Sequence, residues 1–134
     1  MSALTPVRTR AGTSVLVPGS MTAGVRRLKC EGSHMCLKAM RIAFGLPSAK
    51  HARQWGPVLE RNGFVNVGRA KRTGDILVYN GVNSSYVGGG SGHTGIVVRT
   101  KNGDMLLSSI TLKGRGTAVR LTKIGYGFVA YRRR

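Results

Sequence analysis

The chain has 134 residues, enough for one domain around one core and too few for two independently stable ones. Its 22 lysines and arginines stand against only 4 aspartates and glutamates, a formal net charge of +18, which excludes a charge-balanced surface and marks a molecule that self-repels and attracts polyanions through counterion release. No run of eighteen apolar residues and no secretory leader occur, so the expectation is a soluble chain without a transmembrane segment, whose export would need another route.

In chain order, residues 1–27 mix Ser, Thr, Gly, Pro and Arg with little periodicity, which predicts a basic, poorly structured N-terminal arm preceding a domain over 28–134. The segment "SHMCLKAMRIAFGLP" spaces apolar residues by three and four and stops at Gly45 and Pro47, predicting a short buried helix with Ser33 as N-cap. "PSAKHARQWGP" predicts a second helix capped by Ser48, anchored by Trp55 and ended by Gly56-Pro57. From Phe64 the period changes. Strand composition fills 75–79, 94–100, 104–110, 117–124 and 127–132, separated by "GVNSSYVGGGSG", "KNGD" and "KGRG" turns. Helices followed by strands predict an α+β domain, with N-terminal helices packed on a curled antiparallel sheet.

Two residues carry chemistry. Cys36 falls in the first turn of the leading helix, where unpaired amides and the dipole favour a thiolate; a buried apolar role is the alternative, since free cysteine is among the most buried residue types. His93 stands between glycines at the start of an apolar run, either as a satisfied strand-end histidine or as a base. A thiol near a helix start and an imidazole on a neighbouring strand together suit cysteine acyl transfer. The group Cys30, His34, Cys36 and His51 lacks the spacing of a structural zinc site, and the C-x5-C pair gives no disulfide framework. Neither a metal nor another cofactor is expected. The glycine-rich "GGGSG" precedes a strand and so is not a phosphate loop; it reads as a flexible rim, which Tyr79 and Tyr86 line unless they pack in core and loop.

"CLKAMRIAFGLPSAKHARQW", "TGDILVY", "GHTGIVV", "LLSSI" and "KIGYGFVAYRR" in this order resemble the CHAP domains of phage and bacterial cell-wall hydrolases, within the papain-like and NlpC-like cysteine peptidase superfamily. The resemblance implies a papain-like fold, Cys36 as nucleophile and His93 as its base. The family's third residue, usually acidic or an amide, orients the imidazole. The matching stretch here is "LLSSI", which puts Ser109 in that position with Ser108 on the opposite face, and leaves Asn102 or Asp104 as substitutes; Asp104, in an "NGD" turn, reads first as a turn residue. A hydroxyl fixes a tautomer but stabilises an imidazolium less than a carboxylate does. The implied activity is cleavage of a peptidoglycan amide bond, by an amidase or endopeptidase, through a thioester. Implied partners are peptidoglycan, anionic wall polymers and other virion proteins, and the implied setting is a phage lysin released from the host cytoplasm to the wall, or a virion component. An attachment or structural virion protein that keeps the fold with little catalysis is the alternative. Non-specific nucleic-acid binding rests on net charge alone, because the cations are scattered and lack interleaved aromatic platforms. Membrane headgroups, or a solvated basic surface with no dedicated ligand, satisfy the same charge.

Overall fold

A computed structural model describes residues 3–10, 12–30, 36–85, 91–112 and 116–134. Eight strands form one curled antiparallel sheet: β1 (Leu4–Arg8), β2 (Ser14–Pro18), β3 (Phe64–Gly68), β4 (Ile76–Tyr79), β5 (His93–Thr100), β6 (Gly103–Leu112), β7 (Gly116–Thr122) and β8 (Phe128–Arg133). They run in the order β1-β2-β5-β4-β8-β3, with β6 paired to β5 and β7 to β6. Among the described residues the α-helices are α1 (Thr22–Arg27), α2 (Cys36–Phe44) and α3 (Gly56–Arg61). The α+β architecture expected from the sequence is the one found.

β5 is the hub of the sheet. One of its edges pairs with β4 from His93 to Ile96 and meets β2 at Arg99, while the other pairs with β6 from Ile96 to Thr100. Alternation divides its side chains between two faces. Ile96 and Val98 join the larger core with α2 residues Leu37, Met40 and Phe44, whereas Val97 joins Leu77, Tyr79, Leu106 and Ala130 in a smaller cluster. α2 ends as its sequence predicts: Gly45 takes φ 64°, and the amides of Gly45 and Leu46 return to the carbonyls of Ile42 and Arg41 at 3.3 and 2.8 Å, the paired bonds of a Schellman stop.

Two expectations are corrected. Residues 1–27 are not a poorly structured arm: β1 and β2 form a hairpin in register from Leu4↔Pro18 to Arg8↔Ser14, and α1 follows it. Val7, Val15, Val17, Met21 and Val25 are all buried in the main core. These apolar residues alternate within a polar composition, so average composition hides a strand pair that one buried face suffices to hold. The second helix is also displaced. The stretch 48–55 holds only a 3-10 turn, Ala52–Gln54, and Gly56-Pro57 opens α3 instead of closing a helix. Proline tolerates the first helical turn because the N–H it lacks has no helical acceptor there. Trp55 remains the anchor, fully buried, with its Nε1 donating to the Pro47 carbonyl at 2.9 Å.

The "TGD" motif has a structural role. Asp75 is buried and accepts from Arg132 Nε and Nη2 at 2.9 and 2.8 Å and from the Arg72 amide at 2.8 Å. Its own carbonyl accepts from the Val97 amide, so this one residue joins β8 to the entrance of β4 and the middle of β5.

If the N-terminal hairpin is integral, Val17→Ala, at a fully buried position, should cost about 2 kcal/mol by the burial and cavity scale. A substitution in a loose arm would cost less than about 0.5 kcal/mol. Urea denaturation of the two proteins measures the difference.

Candidate active site

The fold brings the start of α2 to the start of β5. The Cys36 sulfur is met by the backbone amide of Thr94, the residue after His93, and by the amides of Leu37 and Cys36 itself in the first turn of α2. Each of these donors favours negative charge on sulfur. Burial opposes them and prevails, so the thiol is pushed up from its ordinary value. The Thr94 amide is available for a topological reason. Because the Val97 amide points to β4, alternation sends the amides of Thr94 and Ile96 toward β6, yet the β5–β6 register starts only at Ile96↔Leu107. Thr94 therefore lies where the two strands part, and its amide is turned toward the Cys36 sulfur.

His93 is buried, at 7 % exposure, with its Nε2 2.9 Å from Ser108 Oγ and its ring 6.2 Å from that of Tyr79. Desolvation by burial lowers its pKa to about 4. Near neutral pH the imidazole is consequently neutral and the thiol protonated. Alternation turns His93 to the face of Val97 and Tyr79, while Cys36 packs against the core on the face of Ile96. The two side chains therefore lie on opposite faces at the start of β5, and Ser108 holds Nε2 of the ring.

Ser108, not Ser109, stands against the histidine. Ser109 is buried and its Oγ has no hydrogen-bond partner among the described residues. The cause is register. Ile96 pairs with Leu107, so Gly95 and Ser108 come together on the His93 face, and a Cβ at Gly95 would meet Ser108 Cβ and the Leu107 carbonyl at 2.8 Å. Without a side chain at Gly95, the imidazole reaches diagonally over it to Ser108. Sequence alternation establishes that 108 and 109 oppose each other but not which one faces the histidine, since a one-residue slip exchanges them.

The substitute orienters lie elsewhere. Asp104 pairs with Arg99 at 2.7 Å and accepts from Thr73 Oγ1 at 2.8 Å; the Asn102 amide donates to Thr100 Oγ1 in the β5–β6 turn, at the end of β5 opposite His93. Tyr79 is fully buried, its hydroxyl donating to the Gly125 carbonyl at 3.1 Å, and so belongs to the core and not to a rim. Ser33, His34, Tyr86 and Gly88–Gly90 lie outside the described residues. Cys30 and Cys36 are free thiols, and Cys30 Sγ donates to the Thr117 carbonyl at 3.3 Å. Among the described residues no three potential metal ligands converge.

Beside Cys36 lies a cleft of about 360 Å³ lined by Lys38, Arg41, Ser48, Lys50, His51 and Gly92 among others. Its wall is fixed by the Arg53 amide, which donates to the Ser91 carbonyl at 3.0 Å. Gly92, at φ 80°, admits no substitute, because a Cβ would strike the Tyr79 carbonyl and the Arg53 backbone. Lys38, Arg41 and Lys50 contribute positive charge, and no carboxylate lines the cleft among the described residues. The sequence reading missed this surface. The i, i+3 spacing of Lys38 and Arg41 on one predicted helix, next to the cysteine, was the available signal.

Two measurements test the electrostatics. An unfolded His93 binds its proton at the ordinary pKa near 6.5, the native one only at about 4, so stability is fully present above pH 6.5 and is lost as pH falls toward 4, by about 3 kcal/mol. His93→Gln should flatten the decline in thermal midpoint between pH 7 and 4.5; an unchanged slope contradicts the burial of a neutral ring. Iodoacetamide labelling of Cys36, followed by peptide mass mapping, should accelerate about tenfold per pH unit to beyond pH 9, whereas a resting ion pair would label rapidly at pH 6.

Comparison with known proteins finds no matching family model, no matching curated protein and no matching solved structure.

Proposed function

We propose that the protein is a cysteine-dependent amide hydrolase of the bacterial cell wall, with Cys36 as nucleophile, His93 as general base and acid, and Ser108 as the residue that positions the imidazole. The observation that carries the reading is the placement of the Cys36 sulfur at the head of α2, on the amide of the residue that follows His93. The charge of the chain and the cationic cleft support an anionic target, and the motif resemblance supports peptidoglycan as the source of the amide.

In this mechanism neutral His93 takes the thiol proton as sulfur attacks the amide carbon. Negative charge passes from sulfur to the carbonyl oxygen beside the α2 amides. Collapse of the tetrahedral adduct breaks the C–N bond, and the imidazolium returns its proton to the departing amine. Water, deprotonated by His93, then hydrolyses the thioester and regenerates the thiol. A base with its pKa lowered to about 4 is a weak proton acceptor, so the chemical step is slow by comparison with sites tuned near neutrality.

The hydroxyl orienter also favours a second reading, a virion attachment or structural protein that retains the site at low activity. Release of free amines from purified cell walls separates the two. Wild type should show activity that Cys36→Ala and His93→Ala reduce by at least about a hundredfold. Ser108→Ala should lose about tenfold in kcat while Ser109→Ala keeps most of it. Equal release by wild type and Cys36→Ala removes the hydrolase reading; incorporation into particles by a wild type without lytic activity favours the structural one.

A further inference from the structure

At the opposite end of β5 from Cys36 the molecule has its larger described cavity, about 460 Å³. It lies between the N-terminal hairpin, the loop before β4 and the ends of β5 and β8. Five cations line it, Lys71, Arg72, Arg99, Arg132 and Arg133, against two carboxylates, Asp75 and Asp104. Both carboxylates are already engaged, Asp75 by Arg132 and Asp104 by Arg99, so the cleft keeps an excess of three positive charges.

Its arginines are held in place. Arg99 gives Nε to Asp104 at 2.7 Å and Nη2 to Thr73 at 3.3 Å, which leaves Nη1 uncommitted among the described residues. Arg133 gives Nη1 to the Ser20 carbonyl at 3.0 Å and stacks over Phe64 at 5.5 Å, which fixes its plane and leaves its other donors. The side chains of Lys71 and Arg72 take no partner among the described residues. Fixed guanidinium forks beside mobile cations suit tetrahedral anions, because the fork matches two oxygens while the flexible groups follow the chain. No aromatic side chain lines the cleft among the described residues, so it offers no platform on which nucleic-acid bases would stack.

We infer that this cleft binds successive phosphodiester groups of a polyol-phosphate chain, the anionic polymer of a bacterial wall, at a site separate from the one at Cys36. The inference rests on the proposed function for the identity of the polymer, but its geometry does not involve Cys36.

Fluorescence anisotropy with a labelled glycerol-phosphate oligomer tests it, together with a single-stranded oligonucleotide and an oligoglutamate carrying the same number of charges. The full chain as Cys36→Ala should bind the glycerol-phosphate probe as wild type does, with an affinity that falls steeply with salt. Lys71→Ala/Arg72→Ala should weaken binding roughly tenfold, whereas Arg120→Ala/Lys123→Ala, exposed cations outside the cleft, should change it less than about twofold. Unchanged thermal midpoints establish that both variants fold. Equal losses in the two double variants, tighter binding of the oligonucleotide or the oligoglutamate, or no binding by wild type each overturns the inference. Wall hydrolysis that is absent while cleft-dependent binding persists removes the hydrolase reading alone; binding lost while a soluble muropeptide is still cleaved removes this one alone.

Discussion

One unfilled position in a β-ladder organises the molecule. The Thr94 amide points toward β6, but β6 pairs with β5 only over Gly103–Leu107 and continues beyond Leu107 against β7 alone. A buried amide without an acceptor is costly, and the Thr94 amide is turned toward the Cys36 sulfur. That contact fixes where α2 begins relative to the sheet. It also brings the first residue of α2 to Thr94, next in the chain to His93, where β5 and β6 part. The cost is solvation. The burial that seats the sulfur and the ring stabilises their uncharged forms, which makes the resting pair a thiol and an imidazole.

How much of this was legible follows from the kind of signal each element carries. β4 to β8 are dense in β-branched and aromatic residues between glycine turns, and their existence and order follow from composition. The stop of α2 is written in Gly45, because the left-handed conformation there is a local property of glycine. The hairpin of β1 and β2 was hidden, since Val7, Val15 and Val17 gain their burial from α1 and the main core, partners that lie elsewhere in the chain. Gly56-Pro57 was ambiguous for a related reason: the same dipeptide ends one helix or starts another, and Tyr131, on which Gly56 packs so closely that no Cβ fits, decides it from β8. A cysteine at a helix start and a histidine at a strand start were readable from residue types. The choice between Ser108 and Ser109 was not, because it depends on the register Ile96↔Leu107, which no local pattern encodes.

The few acidic residues show how so basic a chain closes its sheet. Asp75 and Asp104 are each paired with an arginine, and both pairs lie toward the end of β5 away from His93. Asp75 is the more deeply placed, with three donors on its carboxylate that offset the cost of burying its charge. At the His93 end the chain has no comparable carboxylate among the described residues, and the cations of α2 and the 48–51 stretch face the cleft unopposed. Among the described residues the sheet is thus tied by ion pairs at one end and faced by positive charge alone at the other.

The two clefts stand on one rigid strand, Cys36 near Thr94 and the arginine cleft near Arg99, separated by roughly 16 Å at the usual rise per residue. Rigidity matters more than distance here. Under the proposed function, a polymer held at the second cleft would not diffuse away between encounters, and the first cleft would meet neighbouring wall amides at an effective concentration set by the tether and not by bulk. A slow chemical step, which a histidine of reduced basicity implies, would gain most from such retention. The two features that proposal joins have separate structural origins: the low basicity comes from the seating of His93 against Ser108 and Tyr79, and the fixed cations from arginines held by Asp75 and Asp104.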